Sequence, residues 1–140
     1  MMGHILVVED DRDSAEVLAA YLTKAGYEVE CARNGREAMI ALLARTPDLL
    51  VLDLILPNMD GPTLLEVVRS YLRLHALPVV VYTGVPDNSL ADRVRQLNVG
   101  AILAKGKHTL ADVVTCIRRE LSPLNPPAFG SSDFPGAQGE

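Results

Sequence analysis

Four short, continuously apolar runs, each followed by residues with helical spacing, constrain the fold of this chain more than any other feature. The runs are Ile5-Leu6-Val7-Val8, Leu49-Leu50-Val51-Leu52, Val79-Val80-Val81-Tyr82 and Ala101-Ile102-Leu103-Ala104. A strand with one wet face alternates apolar and polar residues. A strand covered on both faces does not, and such strands belong to parallel sheets clad in helices. A fifth run, Tyr27-Glu28-Val29-Glu30-Cys31, does alternate, as suits an edge strand. Between the runs, apolar residues recur at helical intervals. These are Ala15, Leu18, Ala19 and Leu22; Ala38, Leu42 and Leu43; Leu64, Leu65, Val68 and Leu72; Leu90, Val94 and Leu97; and Leu110, Val113, Val114, Ile117 and Leu121. Boundary signals agree with this spacing. Gly26 stops the first helix and Pro47 follows the second. Asp60-Gly61-Pro62 opens the third, with Pro in the first turn. Ser89 with Asp92, and Thr109 with Asp112, have the spacing of capping boxes.

Five strand–helix units predict an α/β fold with a parallel sheet and right-handed crossovers. Five strands favour the flavodoxin-like, doubly wound order 2-1-3-4-5, with five helices in a three-layer sandwich. Residues 1–121 are expected to form this domain. Residues 122–140, rich in Pro, Gly and Ser and without helical period, read as a flexible tail. The chain has 140 residues, 49 % hydrophobic and 22 % charged, which suits one globular domain. With no Trp and only 4 % aromatic residues, its core must be aliphatic. A formal net charge of -5 argues against nucleic acid as the main partner. The first apolar run is too short for a signal peptide or a membrane span. Cys31 and Cys116 stand far apart and outside any CxxC pattern, and read as buried free thiols in a reducing compartment. The expectation is a soluble, cytoplasmic protein.

In an open α/β sheet, ligands bind beyond the carboxyl ends of the strands, where the strand order reverses. Glu9, Asp10 and Asp11 follow the first strand, Asp53 the third, Thr83 the fourth and Lys105 the fifth. Each has a bland explanation when taken alone. An acidic run is commonly a solvated loop or helix cap, and a strand-end Thr or Lys is commonly structural. At consecutive strand ends they converge on one rim. Asp53 comes after four apolar residues, where an unpaired carboxylate is costly. Like charges about 4 Å apart repel by about 4 kcal/mol at an effective dielectric near 20. Glu9, Asp10 and Asp53 therefore call for a cation. Oxygen donors of this kind suit Mg²⁺, which often joins carboxylates to a phosphate. Mg²⁺ and Lys105 together would neutralise the three carboxylates. A phosphoryl group on Asp53 would then face metal, ammonium and hydroxyl, the positioning and charge balance that phosphoryl transfer requires.

The ordered set Val7-Val8-Glu9-Asp10-Asp11, Leu52-Asp53-Leu54-Ile55-Leu56-Pro57-Asn58-Met59-Asp60-Gly61, Val81-Tyr82-Thr83-Gly84 and Gly100-Ala101-Ile102-Leu103-Ala104-Lys105 resembles the receiver domain of two-component response regulators. The likeness spans about residues 4–121. It implies that Asp53 is the phosphoacceptor. It implies that Asp10 is a direct metal ligand, that Glu9 acts through water, and that the Ile55 backbone carbonyl is a further ligand to Mg²⁺, with Mn²⁺ as a substitute. Thr83 and Lys105 then match the hydroxyl and the lysine that pair with the phosphoryl group. The implied donor is a phosphohistidine on a sensor histidine kinase or a histidine phosphotransfer protein. The domain would catalyse only its own phosphorylation and dephosphorylation. His4, His75 and His108 match no donor position and read as surface or strand-end residues.

The chain departs from the family pattern at three places. Gly106 follows the lysine where Pro is usual, so the usual cis Lys–Pro bond is absent. Ile102 stands where an aromatic switch residue is usual, and Tyr82 should point to the strand face opposite Thr83. Ile55, two residues past the acceptor, is apolar where a polar group could place an attacking water, which predicts a long-lived phosphoryl group. Output is expected through the face of the fourth helix, fifth strand and fifth helix, by contact with another protein, as a monomer or a phosphorylation-dependent dimer. The tail is too short and too poor in periodic apolar residues for a DNA-binding module. The alternatives are a receiver detached from a larger regulator and a phosphate-independent receiver-like scaffold. An aspartyl-phosphate phosphatase needs a second acid two residues after the nucleophile, which Asp53-Leu54-Ile55 lacks. A nucleotide-binding module needs a GxxxxGK[ST] or GxGxxG loop, and none follows a strand.

Overall fold

A computed structural model of the chain describes residues 3–122. Strands β1 (His4–Val8), β2 (Glu28–Ala32), β3 (Leu49–Leu52), β4 (Val79–Thr83) and β5 (Ala101–Ala104) alternate with helices α1 (Arg12–Lys24), α2 (Gly35–Ala44), α3 (Gly61–Ser70), α4 (Ser89–Arg95) and α5 (Leu110–Leu121). The sheet is parallel in the order β2-β1-β3-β4-β5, as the strand–helix alternation predicts. The part of the tail spanning 123–140 lies outside the described residues. Among the described residues, no helix is long and apolar enough to cross a membrane.

Two aliphatic layers flank the sheet. Leu6, Val8, Leu50, Leu52, Val79 and Val81 face α2, α3 and α4. Ile5, Val7, Leu49, Val51, Val80 and Leu103 face α1 and α5. Side chains along a strand alternate between faces, so continuously apolar runs are what a sheet buried on both sides needs. At roughly 25 cal/mol per Å² of apolar surface removed from water, these layers are the main source of stability.

Helix starts follow their caps. Asp60 accepts from Thr63 N–H with Pro in the first turn, and Thr109 and Asp112 make both bonds of a capping box. The start of α4 differs from the sequence reading. Asn88, in extended conformation, caps the helix by accepting from Leu90 and Ala91 N–H. Ser89 is the first residue inside, and Asp92 pairs with Arg95 at 2.8 Å. Five further residues differ from expectation. Cys31 is exposed, because it lies on the outer part of edge strand β2. Leu43, on α2, is 44 % exposed. Leu72 is 92 % exposed, since α3 ends at Ser70 and Leu72 no longer follows its stripe. His4 is buried, with its Nε2 3.4 Å from Glu30 on the neighbouring strand. Tyr27 precedes β2 and is buried in the α1/α5-side layer.

Candidate functional site

Strand alternation sets the site. Val7, Val51 and Leu103 pack in the α1/α5-side layer. Residues two further along share that side, so Glu9, Asp53 and Lys105 emerge together beyond the strand ends. The Lys105 ammonium donates to Asp53 Oδ2 at 3.1 Å and to Glu9 Oε1. Glu9 and Asp53 are buried, at 6 % and 7 % exposure, while Asp10 is exposed. Carboxylate oxygens of Glu9, Asp10 and Asp53 all lie within 4.8 Å of one another. The second oxygen of Glu9 accepts from Asp11 N–H at 3.1 Å.

Electrostatics follows from this crowding. Burial pushes the Glu9 carboxyl above the usual carboxylate range, against the hydrogen bonds from Lys105 and Asp11 that favour its charge. Burial also works against the Lys105 ammonium. Its hydrogen bond to Glu9 and the charge and hydrogen bond of Asp53 outweigh burial and hold it above the ordinary lysine value. Three carboxylates share one ammonium, and the remaining negative charge fits a divalent cation bound through oxygen.

The loop after β3 packs tightly on α3. Asp53 N–H donates to Val8 O at 3.1 Å, and Gly61 N–H donates to Leu54 O at 2.8 Å. A Cβ at Gly61 would stand 2.6 Å from the Asp53 carbonyl oxygen and 2.8 Å from Leu54 Cα. Only glycine lets the start of α3 lie on the backbone of Asp53. Ile55 is 50 % exposed.

Thr83 is fully buried at the end of β4. Its Oγ1 accepts from Val85 N–H at 3.2 Å, and its backbone carbonyl accepts from Lys105 N–H at 2.8 Å. Ile102 packs, half-buried, in the layer toward α4. The structure thus brings Glu9, Asp10, Asp53 and Lys105 into one cluster. Thr83 adjoins it through the Lys105 backbone, and Ile102 belongs to the other face.

Sequence reasoning missed two neighbours of Lys105. Tyr82 points away from Thr83, as strand alternation demands, but that direction brings its ring centroid to 5.8 Å from Lys105 Nζ. The signal was available: residues 82 and 105 each stand two beyond residues of the same layer, Val80 and Leu103. His108, read as a surface or strand-end residue, is half-buried and closes the turn after Lys105. Its Nδ1 accepts from Ala104 N–H at 2.8 Å. Gly106 sits inside that turn with φ +85°, a conformation that favours glycine, and no cis peptide occurs among the described residues.

A family model described as response regulator receiver domain matches residues 5–115. The chain belongs to this family. It is 36 % identical over 120 residues to the transcriptional regulatory protein GltR of Pseudomonas aeruginosa, covering 82 % of this chain and 49 % of the relative. The chain therefore spans about half the length of that curated relative. A solved structure of a response regulator from Chloroflexus aurantiacus superposes with TM-score 0.80 at 32 % identity, over 87 % of this receiver and 99 % of that chain. The Mn²⁺-bound form of response regulator Rcp1 superposes with TM-score 0.73 at 27 % identity, over 86 % and 96 %. The chain is thus a receiver domain of a two-component response regulator, a signalling domain.

Proposed function

We propose that this receiver accepts a phosphoryl group on Asp53 and signals through the resulting change of shape. One observation carries the reading: three carboxylates from two strand ends crowd within 4.8 Å, with one ammonium bridging the two buried ones. Glu9 (through water), Asp10, Asp53 and the Ile55 backbone carbonyl would hold Mg²⁺, or Mn²⁺ as in Rcp1. A bound cation of this kind supplies charge neutralisation for the carboxylates and for incoming phosphoryl oxygens.

The chain's own residues do the rest. A carboxylate oxygen of Asp53 attacks the phosphorus of a phosphohistidine on a sensor kinase or phosphotransfer protein. The new O–P bond forms as the P–N bond breaks, and the imidazole leaves with the electron pair. Lys105, fixed between Glu9 and Asp53, supplies a charge-assisted hydrogen bond to the transferred group. Thr83 Oγ1 accepts from Val85 N–H, which leaves its own proton to donate to a phosphoryl oxygen. The phosphoryl group then favours one of two arrangements, a population shift whose size equals its differential interaction with them. Output passes by protein contact, and the domain works in the cytoplasm.

Incubation with Mg²⁺ and acetyl phosphate tests this. The expected result is a gain of one phosphoryl mass that disappears in Asp53→Asn. Sustained turnover of phosphate monoesters would point to a phosphatase, and neither result in a folded protein to a phosphate-independent scaffold. GltR, which the chain matches over about half its length, favours a second arrangement. In it, residues 1–121 are the receiver of a longer regulator and residues 122–140 lead toward an effector. The mass of the protein isolated from its source distinguishes the two.

A further inference from the structure

Two arginines tie α3 to α4, and they differ in kind. Arg69, in the last turn of α3, donates to Leu97 O at 2.8 Å and Asn98 O at 3.1 Å, just beyond α4. It also donates to Leu77 O at 2.7 Å and Leu74 O at 3.3 Å, ahead of β4. All four partners are backbone carbonyls, which cannot move without their segments. Arg93, on α4, instead holds side chains of α3: Asp60 Oδ2 at 3.3 Å, Thr63 Oγ1 at 3.2 Å and Glu66 Oε2 at 3.3 Å. These groups are partly exposed, with Arg93 at 40 %, Asp60 at 33 % and Glu66 at 54 %. Side-chain pairs of this exposure are weak and exchangeable.

Arg93 also acts on a sensitive point. Asp60 serves two partners, since Oδ1 caps α3 through Thr63 N–H at 2.8 Å while Oδ2 accepts from Arg93. The next residue is Gly61, packed on the Asp53 carbonyl with no room for a methyl group. Arg93 is therefore one ion pair, one peptide bond and one tight backbone contact away from the acceptor.

We propose that Arg93 is a positioning residue: it latches α4 to the start of α3 in the unphosphorylated arrangement, and α4 pivots on the Arg69 anchor when the latch opens. The inference rests on the phosphoacceptor reading above. A contact made in only one of two arrangements disfavours the other by its own free energy. The latch and phosphorylation therefore oppose one another.

Phosphorylation of the full chain by acetyl phosphate with Mg²⁺ tests the latch. Arg93→Ala, and Asp60→Asn, which keeps a good cap while losing the charge, should each take up phosphoryl about threefold to fivefold faster than the unaltered chain. The double variant should be no faster than either single one, and Arg93→Lys should keep most of the original rate. Rates equal to or below the original in both single variants overturn the proposal and leave Asp53 as acceptor intact. Amide hydrogen exchange of the unphosphorylated protein gives an independent reading. Arg93→Ala should speed exchange severalfold in α4 and leave Leu97–Gly100 unchanged; uniform change, or none, overturns the latch. If the unaltered chain takes up no phosphoryl group, the phosphoacceptor reading falls, and the exchange pattern alone decides the role of Arg93.

Discussion

With Asp53 as the proposed acceptor, Ile55 would set the chemistry at the mouth of the site. It is half exposed two residues beyond Asp53 and offers no hydrogen bond from its side chain to a water approaching the acyl phosphate. The phosphoryl group should persist for minutes or longer, and Ile55→Gln should shorten its life severalfold. Phosphate release after removal of the donor measures both, and loss within seconds from the unaltered chain would refute the idea. At this scale the sequence was legible where a polar residue interrupts an apolar run. Asp53 after Leu49–Leu52 is such a residue, and so is Lys105 after Ala101–Ala104. It was not legible where burial depends on distant neighbours. His4 is buried, its ring beside Glu30 and its backbone N–H bonded to Asp48, and Cys31 is exposed on β2, beyond which no strand lies among the described residues. Tyr82 lay in between. Its direction followed from strand parity, but its position beside Lys105 needed the β4–β5 register.

Helix α3 shows how an element serves the site through its first turn. Its cap, Asp60, and its early Pro were readable from local sequence, because capping bonds span three residues. The reason for Gly61 was not, since the atoms that exclude a side chain there belong to Asp53 and Leu54. Gly61→Ala should force the acceptor loop to shift. It should lower stability by about 1–3 kcal/mol, as overpacking does, and slow phosphorylation. Urea unfolding with an unchanged slope and acetyl phosphate labelling check the two effects. Helix α4 gives the contrasting case. Both Asn88 and Ser89 can cap, and their spacing to Asp92 suggested the wrong one. The backbone of Asn88 is extended and its amide reaches two N–H groups, which settles where the helix begins.

Across the whole molecule, two aliphatic layers carry the stability and a rim of like charges spends some of it. Asp10 is exposed beside two buried carboxylates. Asp10→Asn should therefore raise the melting temperature in metal-free buffer, a gain worth up to about 1 kcal/mol at the dielectric of exposed charges. If the proposed Mg²⁺ site is right, Mg²⁺ should raise the melting temperature of the unaltered chain, because a ligand that binds only the native state stabilises it, and the same substitution should abolish that rise. Melting curves with and without Mg²⁺ measure both, and a fall in metal-free stability would contradict the repulsion argument. The sequence alone determined the strand–helix order, the burial of both sheet faces and the rim where polar groups collect, because periodicity, strand parity and caps are short-range properties of neighbouring residues. Only the tertiary structure decided which of those groups touch, why Gly61 must lack a side chain, and that Arg69 and Arg93 join α3 to α4. The arginine contacts link residues some 28 to 33 positions apart, and the spacing of residues along a chain carries no record of partners that only packing brings together.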